Sequence, residues 1–308
     1  MNLDYTLLHG DAFALVQTLD DASVQLTITS PPYNIGKVYE KRTNLASYLK
    51  HYETFARHLF LKSADGASIC WQVGNYIETG EVYPLDIYFY DIFKDAGFKL
   101  RNRIVWHFEH GLHANRRLSG RYETILWFTK GDNYKFNLDP IRVPAKYPGK
   151  LAFKGPNKGK PTGNPLGKNP SDFWHVVADD WDSGVWNIPN VKANHPEKTE
   201  HPCQFPVELV QRCIAALTEE GDLVLDPFLG VGSSAIAALM HARRFVGFER
   251  DSNYLTVAEQ RINAFKAGSL RLRPLGRPIH QPTGAERVAR VPIEWLSEQT
   301  QGHDTKVP

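Results

Sequence analysis

The stretch Asp226-Pro227-Phe228-Leu229-Gly230-Val231-Gly232-Ser233-Ser234 decides the fold. The apolar residues 223–225 before it read as a strand, and residues 234–242 after it as a helix. Glycines at such a junction let the backbone turn tightly against a ligand. An acid about 20 residues further on, here Glu249 after the strand predicted over 244–248, hydrogen-bonds a ribose hydroxyl. The arrangement predicts an adenosine site in a doubly wound α/β sheet. Gly230-Val231-Gly232-Ser233-Ser234-Ala235 also satisfies G-x-G-x-x-G/A, so a nicotinamide oxidoreductase is one reading, and a tight turn without function is another.

Working outward, strand and helix signals alternate on both sides. Residues 24–29 (VQLTIT) form a β-branched run that stops at Ser30-Pro31-Pro32, because two prolines cannot continue a central strand. Apolar residues at helical spacing from Leu45 to Phe60 predict a helix ending near Asp65-Gly66, with a strand over 67–73. Residues 85–93 predict a helix, 98–108 and 122–129 strands, 207–217 a helix entered through Pro206, and 254–265 a last helix. Beyond Gly268 the chain reads as an irregular tail. The alternation favours an α/β sheet over an all-β design.

The pattern breaks after Asp139. Residues 141–170 hold six prolines and five glycines, which regular structure cannot run through, and seven cations with no anion. Arg142, Lys146, Lys150, Lys154, Lys158, Lys160 and Lys168 make this segment a candidate phosphate-binding surface rather than a plain linker. With a net charge of only +2 over 308 residues, the remainder is therefore mildly acidic. The segmentation expected is 1–140, an insert at 141–200, 201–267, and a tail at 268–308.

Composition excludes other classes. A hydrophobic content of 42% with little net charge argues for a folded core and against disorder. No apolar run approaches a membrane span and Met1–Asp11 lacks a signal-peptide pattern, so a cytoplasmic protein is expected. Cys70, Cys203 and Cys213 never form a C-x-x-C pair and read as buried thiols rather than a disulfide or zinc set. His110 and His113 have a metal-like spacing, but they share a loop with Arg116, Arg117 and Arg121, whose charge disfavours a cation. That loop is a candidate phosphate contact, and no metal site is expected.

Thr29-Ser30-Pro31-Pro32-Tyr33-Asn34 adds the second motif. It resembles the [DNS]-P-P-[YFW] catalytic motif of the amino methyltransferases that modify DNA, and Asp226–Ser234 is similar to their cofactor motif. The order, catalytic motif, then recognition region, then cofactor motif, is that of their permuted beta class. Gly10-Asp11, the segment 121–130 and His201-Pro202-Cys203-Gln204-Phe205-Pro206 agree with it, and the resemblance spans about residues 5 to 265 without the insert.

The resemblance implies a circularly permuted, Rossmann-like, mostly parallel sheet with an irregular basic target-recognition insert. It implies S-adenosyl-L-methionine as cofactor and double-stranded DNA as substrate. Ser30 and the Pro31 carbonyl would accept hydrogen bonds from an exocyclic amine, with Pro32 stiffening the turn and Tyr33 stacking on a flipped-out base. Asp11 would lie near the adenine and Glu249 at the ribose. Asp226, Phe228, Gly230, Gly232, Ser233, Ser234 and Phe205 would line the rest of the cofactor site, although Ser233 and Ser234 also suit a helix cap and Asp11 a turn. A Ser at the first catalytic position favours cytosine N4 over adenine N6. Arg116, Arg117, Arg121 and Lys146–Lys160 would contact DNA. A cognate restriction endonuclease and the choice between monomer and homodimer stay open. Pro202-Cys203-Gln204 mimics the nucleophile motif of cytosine-ring-carbon methyltransferases, but it precedes the cofactor motif and would leave Ser30 idle, so Cys203 is not taken as a nucleophile.

Overall fold

The computed structural model describes residues 4–37, 40, 42–108, 113–145, 147–174, 191 and 195–274. Lys146, His110 and the tail beyond 274 lie outside them.

One eight-stranded sheet organises the chain, in the order β1 (Tyr5–His9), β10 (Arg244–Glu249), β9 (Leu223–Asp226), β2 (Val24–Thr29), β3 (Ser63–Val73), β7 (Tyr122–Thr129), β6 (Lys99–His107), β8 (Phe173–Trp174). The five strands from β1 to β3 run parallel, and β7 is antiparallel to both β3 and β6. From β2 the chain moves through α2 (Leu45–Lys62) to β3 on one side. From β9 it moves through α5 (Ser233–Met240) to β10 on the other. The strand order therefore reverses between β2 and β9, and a ligand crevice belongs outside the carboxyl ends of strands at such a point.

Side-chain alternation divides the core between the two faces. Ile69, Trp71, Val73, Leu126 and Phe128 pack with α2 and α3 (Leu85–Asp95), whereas Cys70, Ile125, Trp127 and Val224 pack with α4 (Val207–Leu217) and α5. Trp71 is completely buried among Tyr52, Phe55, Phe89, Phe93 and Phe228. Two sheet faces each covered by helices are what the doubly wound reading requires.

Several boundaries differ from the sequence expectation. β3 begins at Ser63, because α2 stops once the Ser63 hydroxyl donates to the Leu59 carbonyl (2.7 Å) and the chain turns straight into the sheet. A hairpin, β4 (Asn75–Glu78) and β5 (Glu81–Pro84), turns on Thr79-Gly80, both at positive φ. β1 and the short helix α1 (Ala12–Leu15) were not anticipated either. Ile141 and Val143, inside the expected insert, are buried in the core, and β8 extends the sheet beside β6. The exposed basic segment is thus anchored at both ends. α6 (Ser252–Lys266) closes the fold, and Arg273 beyond it is buried, so the first residues of the expected tail belong to the body. Cys70 and Cys213 are buried as expected, but Cys203 is exposed. No helix among the described residues is long and apolar enough to cross a membrane.

Candidate active site

The two motifs meet where the strand order reverses. β2 ends at Thr29 and β9 at Asp226, side by side, and the Thr29 hydroxyl donates to Asp226 Oδ1 (2.6 Å). Asp226 also accepts from the Phe228 N–H (3.0 Å) and the Ser234 hydroxyl, which fixes the glycine turn to the start of α5. Burial pushes its carboxyl up to about 6, against the pull of these donors. Asp226 and Ser234 are fully buried, and with Gly232 they stand behind the crevice wall rather than on its surface. Gly232 answers a packing demand: its φ is +80°, and a Cβ there would sit 3.0 Å from the Ala258 Cβ of α6. These three shape the turn that Phe228, Gly230 and Ser233 present.

In front of that wall lies a cavity of about 510 Å³. Asp11, Phe205, Phe228, Gly230, Ser233 and Glu249 line one part of it, and Ser30, Pro31, Pro32 and Tyr33 another. Glu249 Oε2 accepts the Gly230 N–H (2.7 Å) and Oε1 the Asp251 N–H (2.8 Å), which aims the carboxylate while each oxygen keeps acceptor capacity for a hydroxyl. Burial raises the Glu249 carboxyl, with the backbone donors opposing. Asp11 caps α1 by accepting the Phe13 N–H (2.8 Å), so its local structural role and its place on the cavity coexist. Phe13, Phe205 and Phe228 supply apolar wall for a flat ring. Burial and Lys198 push His201, also on the wall, down to about 4, so it adds no positive charge near neutral pH. Carboxylate acceptors for hydroxyls and an aromatic wall for a flat ring are what an adenosyl group needs, and the residues fit S-adenosylmethionine.

The Ser30–Tyr33 turn is held more closely than its own residues foretold. The Ser30 and Tyr33 hydroxyls are 2.9 Å apart, and the Tyr33 hydroxyl donates to Glu123 Oε2 (3.2 Å), which also takes the Gln72 amide (2.6 Å). Tyr48 of α2 donates to the Pro32 carbonyl (2.7 Å). Asn34, at φ +60°, exchanges two bonds with the Thr43 backbone (both 2.7 Å), and both residues line the cavity. Glu123, Gln72, Tyr48 and Asn34 were not identified as site residues from sequence. Only Glu123 and Asn34 gave a signal, lying in segments that carry the family likeness. Cys203 also lines the cavity, with its N–H donating to His201 Nδ1 (3.2 Å).

The DNA-contact candidates sit apart from this cavity. Arg116, Arg117, Lys150, Lys154, Lys158 and Lys160 are exposed, and Arg121 is partly covered, its guanidinium 3.4 Å from His113 Nδ1. Among its described residues the basic segment has isolated bridges, such as Leu151 to Pro161, in place of longer strands.

Comparison with known proteins assigns the family. The chain is 45% identical over 255 residues to the Type II methyltransferase M.BglII of Bacillus subtilis, covering 82% of this chain and 68% of that protein. It is 32% identical over 262 residues to the DNA adenine methyltransferase YhdJ of Escherichia coli (strain K12), covering 84% and 82%. The fold matches the PvuII DNA methyltransferase (cytosine-N4-specific) with a TM-score of 0.62 at 20% identity, over 83% of this chain and 85% of that one. It matches an M1.HpyAVI–SAM complex with a TM-score of 0.55 at 22% identity, over 84% and 99%. Residues 24–260 match the family described as DNA methylase, and the chain belongs to this S-adenosylmethionine-dependent family of N6 and N4 amino methyltransferases.

Proposed function

We propose that the protein methylates the exocyclic N4 amine of a cytosine flipped out of double-stranded DNA at a specific site. The observation that carries the reading is that the Ser30–Tyr33 turn and the Phe228–Ser233 turn open into one cavity. S-adenosylmethionine supplies a methyl group on a sulfonium, electrophilic without a metal. An aromatic amine is a poor nucleophile because its lone pair is delocalised into the ring. Ser30 Oγ and the Pro31 carbonyl accept hydrogen bonds from the amine, favour tetrahedral nitrogen and expose that lone pair. Pro31 and Pro32 keep both acceptors aligned, and the Tyr33 ring replaces part of the stacking a flipped base loses. Glu249 and Asp11 hold the adenosine end, and Phe205, Phe228, Gly230 and Ser233 the remainder. The exposed cations Arg116, Arg117, Lys150, Lys154, Lys158 and Lys160, with Arg121 and Lys146, bind the DNA backbone.

Adenine N6 is the second reading, supported by the 32% identity to a DNA adenine methyltransferase. Nucleoside mass spectrometry of DNA treated with enzyme and S-adenosylmethionine separates them: N4-methylcytidine is expected, and N6-methyladenosine would reassign the base. Ser30→Ala and Tyr33→Ala are expected to abolish methylation with the fold intact, and full activity in both would refute the mechanism. Calorimetry should detect S-adenosylhomocysteine and no NAD, which answers the nicotinamide alternative. The likeness to a Type II methyltransferase suggests a cognate restriction endonuclease as functional partner.

A further inference from the structure

We propose that Glu123 is a positioning residue of the catalytic turn, fixing the direction of the hydrogen-bond chain Ser30–Tyr33–Glu123 so that Ser30 meets the substrate amine as an acceptor. The inference rests on the reading of Ser30 as the amine's acceptor. A phenol carries one proton, and Tyr33 gives it to Glu123 Oε2 at 3.2 Å. A carboxylate has none to give back. In the 2.9 Å contact between the Ser30 and Tyr33 hydroxyls, Ser30 must therefore be the donor. Its single proton points inward and its remaining lone pairs point outward.

The direction matters chemically. An unconstrained serine hydroxyl can equally donate, and a donor facing an NH₂ group would engage the nitrogen lone pair that must attack the methyl group. Two further features keep the chain in register. Gln72 donates to the same Glu123 oxygen (2.6 Å) and orients the carboxylate. Gly74 leaves a slot for the Tyr33 ring, since a Cβ there would lie 3.2 Å from Tyr33 Cε2 and 3.7 Å from Glu123 Cγ. Strand register creates the slot: Val73 of β3 pairs with Thr124 of β7, which brings Gly74 beside Glu123. Burial and the neighbouring carboxylate also push the Tyr33 phenol well above its usual value, so it remains protonated and a donor.

Steady-state methylation of DNA by Glu123→Ala, Glu123→Gln, Tyr33→Phe and Ser30→Ala tests the assignment, with S-adenosylhomocysteine affinity measured for each. Glu123→Ala and Tyr33→Phe should each lower kcat about tenfold or more while leaving KM for S-adenosylmethionine and DNA within about twofold. Their double variant should be no slower than the slower single, because both break one chain. Glu123→Gln, whose amide oxygen can accept from Tyr33 and Gln72, should recover part of the turnover that Glu123→Ala forfeits. Wild-type kcat in Glu123→Ala or Tyr33→Phe, beside an inactive Ser30→Ala, would overturn this inference alone. An active Ser30→Ala would instead overturn the reading on which it rests. Loss of S-adenosylhomocysteine binding in Glu123→Ala in proportion to kcat would reduce Glu123 to a structural residue and also overturn it.

Discussion

Asp226 and His201 flank the glycine turn with opposite proton preferences. Asp226 rises from 3.8 to about 6, so the folded chain holds that proton more tightly than the unfolded chain, and its contribution to stability declines as pH rises through that interval. His201 falls from 6.5 to about 4, so its contribution is intact above 6.5 and is lost as pH falls towards 4. The two oppose each other across much of the same range. Asp226→Asn keeps an oxygen for Thr29 and Phe228 but does not titrate, so its urea-measured stability relative to the parent should increase from pH 4 to 6. His201→Gln should gain on the parent in the other direction, as pH drops from 6.5 to 4. A difference flat with pH in either variant would contradict the burial that shifts these groups. Neither shift was legible in the sequence, which marks Asp226 as a ligand-loop acid but says nothing of the three donors that surround it.

At the level of elements, the basic segment carries its own prediction. Lys150, Lys154, Lys158 and Lys160 are exposed, so replacing them with alanine should leave thermal stability nearly unchanged. Affinity for duplex DNA should fall, and the slope of log affinity against log salt should flatten by about 0.9 for each phosphate that is no longer neutralised. An unchanged slope in filter binding across salt concentrations would make the segment a linker. Here the sequence was informative, because prolines, glycines and one-signed charge are properties of contiguous residues. The anchoring of both ends was not, since Val143 stands alone between Arg142 and Pro144, Phe173-Trp174 is too short a pair to read as a strand, and both join the core only through tertiary packing. The β4–β5 hairpin escaped for a related reason: its Thr79-Gly80 turn carries a weaker signal than Asn-Gly.

Across the whole molecule, the chain beyond α6 returns to brace the body. The Arg273 guanidinium donates to Glu208 (2.6 Å) on α4, both side chains being almost wholly buried, and its backbone N–H meets Glu197 Oε1 (3.2 Å). Glu197 Oε2 accepts the Val207 N–H (3.0 Å), so this arm ties the start of α4 to the segment that leads into the His201–Phe205 wall. Arg273→Met would leave the Glu208 carboxylate buried without that partner and should cost about 3 kcal/mol in urea unfolding. A loss below about 1 kcal/mol would mean that the partners Glu208 keeps, Arg212 (3.7 Å) among them, suffice.

The sequence by itself determined the strand–turn–helix at Asp226, the proline-locked end of β2, the order of the two motifs and the charge of the segment between them. Each is written in residues close along the chain, where steric limits of proline and glycine and the periods of helix and strand act directly. Only the tertiary structure decided that Thr29 clasps Asp226, that Tyr33 commits its proton to Glu123, and that Arg273 neutralises Glu208. Those partners lie 197, 90 and 65 residues apart, and what joins them is the packing of strands and helices, which no local spacing encodes.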